Sequence, residues 1–335
     1  MITKVMEKKK LQKFLSNLCN QKLFAPLKDE EGKINFGLVK DPAEVVLEFA
    51  NVLKPVKSLL FPQTETIFEA DEQGIHHPEV SENGVIFGLR PCDAKSVRLL
   101  RKVFEKDYKD NYFLQREGSY LKIGLACTVP GENCFCTSFG QGPFFNEGLD
   151  LLLADIGEKY YVEVLSEKGK KLVEENSELF LEPTEADMEL RQIAQANAEG
   201  KIGREVNVKR ASEKLGQAYD NALWDETSKI CIGCGICAYL CPTCHCFDMT
   251  DEKVASRTRR IRTWDTCMFS YFTLQASGHN PRPTKKERLR NRVYHKFKYL
   301  LENFDEIGCV GCGRCLENCP SGVNLIEILS RVAES

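Results

Sequence analysis

A four-cysteine motif that occurs twice constrains this chain more than any other feature of its sequence. The pattern C-x2-C-x2-C-x3-C-P is formed by Cys231, Cys234, Cys237, Cys241 and Pro242, and again by Cys309, Cys312, Cys315, Cys319 and Pro320. Thiolates at this spacing wrap a tight loop around one face of an iron–sulfur cube. Glycines inside both motifs let backbone amides approach sulfur atoms. The sequence therefore predicts two 4Fe–4S clusters.

The two motifs are expected to exchange their fourth ligands. In two-cluster ferredoxins, the fourth cysteine of each motif ligates the other cluster. The predicted ligands are therefore Cys231, Cys234, Cys237 and Cys319 for one cluster, and Cys309, Cys312, Cys315 and Cys241 for the other. The alternatives are zinc, whose structural sites usually pair two C-x2-C knuckles, and buried free thiols. The repeated spacing with two C-P endings favours iron–sulfur clusters over both.

The number of cysteines also fits metal chemistry better than disulfide bonds. The chain has 16 cysteines among 335 residues, and its start, Met1–Leu15, has lysines but no continuous apolar stretch after them. Cytosolic thiols stay reduced and tend to serve metals or redox chemistry. No run of about 18 apolar residues occurs, so we expect a cytoplasmic protein without a membrane span. The formal charge of −3 gives no indication of nucleic-acid binding.

Hydrophobic patterns predict an α+β fold with three parts. Strand patterns occur at residues 84–89, 120–126 and 160–165, and helical patterns at 94–104 and 166–179. Because strands and helices alternate, residues 1–180 are expected to form an α/β domain. The polar, helix-prone stretch 181–225 is expected to be a helical connector. Residues 226–335 are expected to form a two-cluster, ferredoxin-like α-helical domain with a basic insertion at 247–300.

Four cysteines of the N-terminal part form a further candidate site. Cys92 and Cys127 follow predicted strands, and Cys134 and Cys136 share one glycine-bearing loop. Since ligands gather beyond the carboxyl ends of strands in α/β sheets, we expect these four thiols to hold a third 4Fe–4S cluster. Asp93 could supply an oxygen ligand if one thiolate lies too far away. The alternative is that the four are small buried apolar residues, as we expect for Cys19.

The 67 residues between Cys241 and Cys309 are more than a bare ferredoxin needs. This insertion is strongly basic, with Arg257, Arg259, Arg260, Arg262, Arg282, Lys285, Lys286, Arg288, Arg290, Arg292, Lys296 and Lys298. These cations could offset cluster charge, raise its potential or bind a partner, or could belong to an ordinary solvated helix over 284–302. Cys244, Cys246 and Cys267 are either further ligands or packing residues.

The chain shows no catalytic or nucleotide-binding motif of its own. No G-x-G-x-x-G, P-loop or H-E-x-x-H pattern occurs, and His76, His77 and His279 are expected to be surface or core residues. We therefore expect no flavin in this chain and interpret it as an electron-transfer subunit of a larger redox complex. An iron–sulfur redox sensor is the alternative, although no helix-turn-helix is evident. A self-contained flavin-dependent oxidoreductase would need a cofactor site that the sequence lacks.

Six segments make the chain resemble a known family. They are PCDA (91–94), ENCFC (132–136), CIGCGICAYLCPTCHCF (231–247), WDTC (264–267), GHNPRPTKKERLRNR (278–292) and CVGCGRCLENCP (309–320). With them, the chain resembles the iron–sulfur β subunits of sulfhydrogenase-type NiFe hydrogenases and an iron–sulfur subunit of anaerobic sulfite reductase. The resemblance implies partners on two sides: a flavin subunit that takes electrons from NAD(P)H or ferredoxin, and a catalytic subunit that reduces protons, sulfur or sulfite. It also covers the four N-terminal cysteines.

Overall fold

The computed structural model of the protein describes residues 2–80, 83–255 and 257–335. Its strands are β1 (Ile2–Glu7), β2 (Lys22–Lys28), β3 (Ile34–Leu38), β4 (Thr64–Asp71), β5 (Gly74–His76), β6 (Gly84–Leu89), β7 (Tyr120–Leu125), β8 (Leu151–Asp155), β9 (Lys159–Val164), β10 (Phe247–Val254) and β11 (Arg257–Trp264). Its α-helices are α1 (Leu11–Leu18), α2 (Lys57–Leu60), α3 (Pro91–Glu105), α4 (Asn111–Ser119), α5 (Glu167–Glu175), α6 (Glu185–Gly200), α7 (Val208–Leu215), α8 (Leu223–Ile230), α9 (Ile236–Tyr239), α10 (Lys285–Tyr294), α11 (Leu300–Phe304), α12 (Arg314–Glu317) and α13 (Leu325–Glu334).

The chain divides into two compact units. The first contains Met1–Val56, Ser81–Glu205 and Val310–Gly313, and the second contains Lys57–Val80, Val206–Cys309 and Arg314–Ser335. The first unit carries a large sheet, and the second is mostly helical and contains the first cysteine motif and, except for Cys312, the cysteines of the second motif. The predicted α+β fold class is confirmed. The domain limits 1–180, 181–225 and 226–335 stay a prediction.

A seven-stranded sheet of order β1-β9-β8-β7-β6-β2-β3 forms the first unit. The strands β2, β6, β7 and β8 pair in parallel, whereas β1, β3 and β9 pair antiparallel to their neighbours. All six residues of β6, the sequence GVIFGL, are buried. Such a continuous apolar run is typical of a central parallel strand covered on both faces. The predicted strand at 84–89 therefore takes a central position in the sheet.

The connection from β6 to α3 places Cys92 at the carboxyl end of the sheet. Pro91 occupies the first turn of α3, where its missing N–H and fixed φ suit a helix start. The amphipathic helix α1 packs Phe14 and Leu15 into the same core as Phe87 of β6. Cys19, which follows α1, is partly buried against this core.

The second unit combines helices with a four-stranded antiparallel sheet of order β10-β11-β4-β5. The helix expected over 284–302 is present as α10, a π-helical turn at His295–Tyr299, and α11. A capping box between Thr284 and Glu287 fixes its start. None of the helices in the described part of the chain has the length and apolar character that a bilayer-spanning helix requires.

Candidate iron–sulfur sites

The first cysteine motif surrounds a pocket in the second unit. Cys231, Cys234, Cys237, Cys315 and Cys319 all line this first pocket. Gly235 has a φ of +78° at the start of α9, and a Cβ there would come within 2.9 Å of Thr266 Cγ2. Only glycine therefore lets the motif turn this tightly against its neighbour. The buried apolar side chains of Met268 and Leu289 also line this pocket.

Arg292 of α10 faces this first pocket. Its guanidinium is 4% exposed, and Nη2 donates a hydrogen bond to the Cys237 carbonyl at 3.0 Å. Burial opposes its charge, but the nearby Cys237 and Cys315 thiols hold the pKa of Arg292 well above its ordinary value. Its buried Nε has no hydrogen-bond partner among the residues that the structure describes. An orphaned donor beside a cysteine-lined pocket fits a group with acceptor sulfur atoms, such as an iron–sulfur cluster.

Cys241, the fourth cysteine of the first motif, has a different environment. Lys296 Nζ donates hydrogen bonds to Cys241 Sγ at 3.1 Å, Thr243 Oγ1 at 2.8 Å and the Gly308 carbonyl at 2.8 Å. Lys296 lies in the π-helical turn and is 3% exposed. A hydrogen bond from Cys244 holds the pKa of Cys241 well below its ordinary value, and the Lys296 charge adds to this effect. Cys241 is therefore prepared to act as a thiolate.

The four N-terminal cysteines line one pocket of the first unit. Cys92, Cys127, Cys134 and Cys136 share this N-terminal cysteine pocket with, among others, Asn51, Arg90, Gly311 and Cys312. Cys92 comes from the first turn of α3, Cys127 follows β7, and the other two come from the next loop. Burial, with Cys134 and Cys127 nearby, raises the pKa of Cys136 to about 12. Burial also raises the pKa of Cys127, against the Arg90 charge.

Arg90 is the cation of the N-terminal cysteine pocket. The side chain is 4% exposed, and its Nη1 donates to the carbonyls of Leu125 at 3.2 Å and Ala126 at 2.9 Å. Burial lowers the pKa of Arg90, whereas the neighbouring Cys127 and Cys92 thiols oppose that shift. Its Nε, like that of Arg292, is buried without a hydrogen-bond partner in the described part of the chain. This pocket therefore offers four thiols and an unused donor.

A segment from the second cysteine motif closes the N-terminal cysteine pocket. The Phe135 N–H donates to the Gly311 carbonyl at 2.8 Å, and Asn51 Nδ2 donates to the Cys312 carbonyl at 2.8 Å. Cys92 Sγ lies 3.5 Å from Asn51 Oδ1, so one asparagine contacts both segments. Asp93 is fully buried and is not among the described residues that line this pocket. Sequence patterns gave no indication that Asn51 or Gly311 belongs here.

The basic insertion separates into two groups. In the β10–β11 hairpin, Arg259 pairs with Glu252 at 2.9 Å and Arg260 pairs with Asp251 at 2.8 Å. In α10 and the following turn, by contrast, Arg288, Arg290, Arg292 and Lys296 are buried. These four cations therefore do not belong to an ordinary solvated helix face. His76, His77 and His279, expected at the surface or in the core, are exposed.

The remaining cysteines of the insertion form contacts with each other or with a predicted ligand. Cys244 hydrogen-bonds Cys241, and Cys246 hydrogen-bonds Cys267. Within residues 2–80, 83–255 and 257–335, no three His, Cys, Asp or Glu side chains form a group that could hold a single metal ion. A cubane cluster requires a wider arrangement, because each of its thiolates ligates a different iron atom.

Two comparisons relate the chain to known proteins. Residues 230–323 match the family model of the 4Fe–4S dicluster domain. Sulfhydrogenase 2 subunit beta of Pyrococcus furiosus is 31% identical over 293 residues, which cover 87% of this chain and 86% of that protein. The dicluster match spans both four-cysteine motifs and the insertion between them. The similarity to the hydrogenase subunit extends over most of both chains.

Proposed function

The chain belongs to the family of sulfhydrogenase beta subunits, and we propose that it relays electrons from a flavin subunit to a catalytic subunit or in the reverse direction. The coarser role follows from the family and the dicluster domain: the chain is an iron–sulfur electron-transfer subunit of a hydrogenase-type complex, with two 4Fe–4S clusters in that domain. The proposed flavin subunit takes electrons from NAD(P)H or ferredoxin. The proposed catalytic subunit is of the hydrogenase or sulfite and sulfur reductase type.

The crossed ligand sets are the next part of the proposal. One cluster is assigned to Cys231, Cys234, Cys237 and Cys319, and the other to Cys309, Cys312, Cys315 and Cys241. The lining of the first pocket supports the first set, because it contains all four of its cysteines, whereas Cys241 is not among its described residues; Cys315 of the other set also borders this pocket. The Lys296 contact supports the separate placement of Cys241. For Cys312 the assignment rests on the sequence spacing.

A third 4Fe–4S cluster on Cys92, Cys127, Cys134 and Cys136 is proposed for the first unit. The observation that carries it is the common pocket of these four thiols, beside the buried Arg90 with its orphaned Nε. The Cys127 and Cys92 thiols and the Asp93 carboxylate all favour the charged form of the buried Arg90, and thiolate ligands would add further negative charge beside it. We therefore favour a cluster here over simple packing of small apolar residues.

The protein's own residues adapt these sites to electron transfer. A bound 4Fe–4S cluster supplies reversible one-electron chemistry, and its potential depends on nearby charge, hydrogen bonds to sulfur and solvent exposure. Lys296 donates to the Cys241 thiolate, and Arg292 places a positive charge at the first pocket. Both cations stabilise added negative charge. Arg292 and Lys296 are themselves 4% and 3% exposed, so that their charges act with little screening.

Metal content of the full-length protein tests this proposal. Anaerobically reconstituted chain should hold about twelve iron and twelve sulfide, and a double Cys134→Ser, Cys136→Ser variant about eight of each, since one cubane contains four. The matched control is Cys19→Ser, which should keep the full content because Cys19 packs against the core of the first unit. About eight iron in all three proteins would contradict the proposed third cluster. Bound zinc without acid-labile sulfide would overturn the whole assignment.

A further inference from the structure

The open end of the β10–β11 hairpin brings two cysteines together that belong to neither motif. Phe247, the first residue of β10, pairs with Trp264, the last residue of β11, at this open end. Just beyond this pair, the Asp265 N–H donates to the Cys246 carbonyl at 3.0 Å. Cys267 follows two residues later. Both its thiol and its backbone N–H donate hydrogen bonds to the Cys246 sulfur. The two sulfur atoms are therefore direct neighbours, and both cysteines are free thiols.

The two thiols differ in ways that suit thiol–disulfide exchange. The hydrogen bond from Cys267 is the main cause that lowers the pKa of Cys246, to about 6, and the buried Lys57 and Lys296 add to it. The same hydrogen bond raises the pKa of Cys267. Cys246 is half-buried, whereas Cys267 is 7% exposed. The more exposed of the two residues is thus also the one whose pKa is lowered, as an attacking thiol requires.

Lys57 holds this side of the hairpin in place. Its Nζ donates to the Cys244 carbonyl at 2.8 Å and lies 4.2 Å from the centre of the Trp264 ring. Lys57 is 2% exposed, so its charge acts on the neighbouring sulfur atoms with little screening. The cation also fixes the segments that carry the two cysteines, because Cys244 precedes Cys246 and Trp264 precedes Cys267.

Cys267 is also adjacent in sequence to a residue that lines the first pocket. Its neighbour Met268 lines that pocket, and its neighbour Thr266 packs against Gly235 of the first motif. A covalent bond between Cys246 and Cys267 would therefore tie the base of the hairpin to the segment that lines this pocket.

We propose that Cys246 and Cys267 form a reversible dithiol/disulfide couple that exchanges with small disulfides. The inference goes beyond the electron-transfer role and stands on the geometry of the second unit. In the first step the Cys246 thiolate attacks one sulfur of a small disulfide, which forms a mixed disulfide and releases one thiolate. In the second step Cys267 gives up its proton to the released thiolate and attacks Cys246 Sγ. The second small thiolate then leaves, so that the Cys246 thiolate and the Cys267 thiol are oxidised to a disulfide and the small disulfide is reduced to one thiol and one thiolate.

Peptide mapping of the reconstituted full-length chain tests the couple. The protein is incubated anaerobically with hydroxyethyl disulfide, free thiols are alkylated, and tryptic peptides are analysed without reduction. We expect a linked pair of peptides, one with Cys246 and the other with Cys267, that is lost on treatment with dithiothreitol. Cys267→Ser should instead retain a mixed disulfide on Cys246, because the resolving thiol is gone. Cys246→Ser should form neither species.

Two controls separate this inference from the cluster assignment. Acid-labile sulfide is measured before and after exposure, and it should stay constant, so that thiols released from broken clusters do not enter the result. Cys19→Ser should form the linked peptides like the unaltered chain. Full sulfide content with Cys246 and Cys267 both alkylated would overturn the couple and leave the electron-transfer role intact. Linked peptides in a chain that binds no sulfide would support the couple and contradict the cluster assignment.

Discussion

At the scale of single residues, the cations on α10 and its π-helical turn are the features that most affect the proposed clusters. Lys296 approaches Cys241 Sγ, and Arg292 approaches the Cys237 backbone, so each of the two proposed ligand sets has a buried positive charge beside one of its cysteines. A π-helical turn within a helix often marks a functional position. In this chain it carries Lys296 and thereby places an ammonium group on a predicted ligand.

Replacing Lys296 should lower the potential of the cluster that Cys241 ligates. Lys296→Met removes a charge-assisted hydrogen bond of about 1.5–3 kcal/mol. If this hydrogen bond stabilised only the reduced state of the cluster, its loss would shift the reduction potential by at most about 65–130 mV towards negative values. Redox titration followed by EPR measures this shift in the reconstituted full-length chain. The matched control is Lys298→Met on the same turn, whose ammonium pairs with Glu302 at 2.6 Å. Equal potentials in the two variants would show that the Lys296 contact has no influence.

The cysteines could be predicted from the sequence, but their neighbours could not. Motif spacing gives the ligand candidates because the chemistry requires a local loop of fixed length. Lys296 and Arg292 were visible only as members of a basic helix, since a helical pattern does not show which cysteine a side chain reaches. Asn51, which contacts Cys92 and the Cys312 carbonyl, lies in a segment without any motif.

At the scale of elements, the segment Val310–Gly313 is the least expected part of the first unit. It comes from the second cysteine motif and closes the N-terminal cysteine pocket through the Phe135 and Gly311 backbones. Gly311 has a φ of +64°, and a Cβ there would lie 2.6 Å from the backbone N and Cα of Cys136. A side chain would thus force the two loops apart.

Gly311→Ala should lower the iron content of the reconstituted chain. If only the N-terminal cysteine pocket is disturbed, the loss is about four iron per chain, the content of one cubane. The control is Gly322→Ala, because Gly322 has a similar φ of +72° but no atom within 4 Å of its Cβ position. It reproduces the backbone strain without the clash. Equal iron in the two variants would contradict a tight packing of Gly311 on the Cys136 loop.

The elements themselves were predicted unevenly. The strand at 84–89 and the helix after it were found because apolar periodicity and Pro91 define them locally. The β10–β11 hairpin was not expected, because its arginine-rich sequence has no strong strand signal. Its charges are matched across the strands and to β4, for example between Arg262 and Glu65 at 2.5 Å. Such long-range pairing cannot be found in a local window of sequence.

At the scale of the whole molecule, the resemblance predicted the family that the comparisons confirm. It was informative because six motifs are spread along the chain, so it does not depend on the ferredoxin pattern alone. The role of the first unit depends on more than local motifs. Its four thiols come from three separate segments, and the topology of the parallel sheet brings them together.

The isolated chain should accept electrons without oxidising a nicotinamide. Reduced viologen or ferredoxin delivers single electrons, so either should bleach the visible absorbance of the reconstituted protein. NADH or NADPH alone should leave the absorbance unchanged. A nicotinamide donates two electrons as a hydride, and a flavin is needed to accept them and pass them on one at a time. The sequence has no motif that would bind a flavin. Adding a flavin-containing NAD(P)H oxidoreductase subunit should restore bleaching by the nicotinamide. Stopped-flow spectroscopy under anaerobic conditions measures all three reactions. Rapid bleaching by NADPH alone, or flavin that co-purifies with this chain, would place hydride chemistry within it and contradict the proposed division of labour.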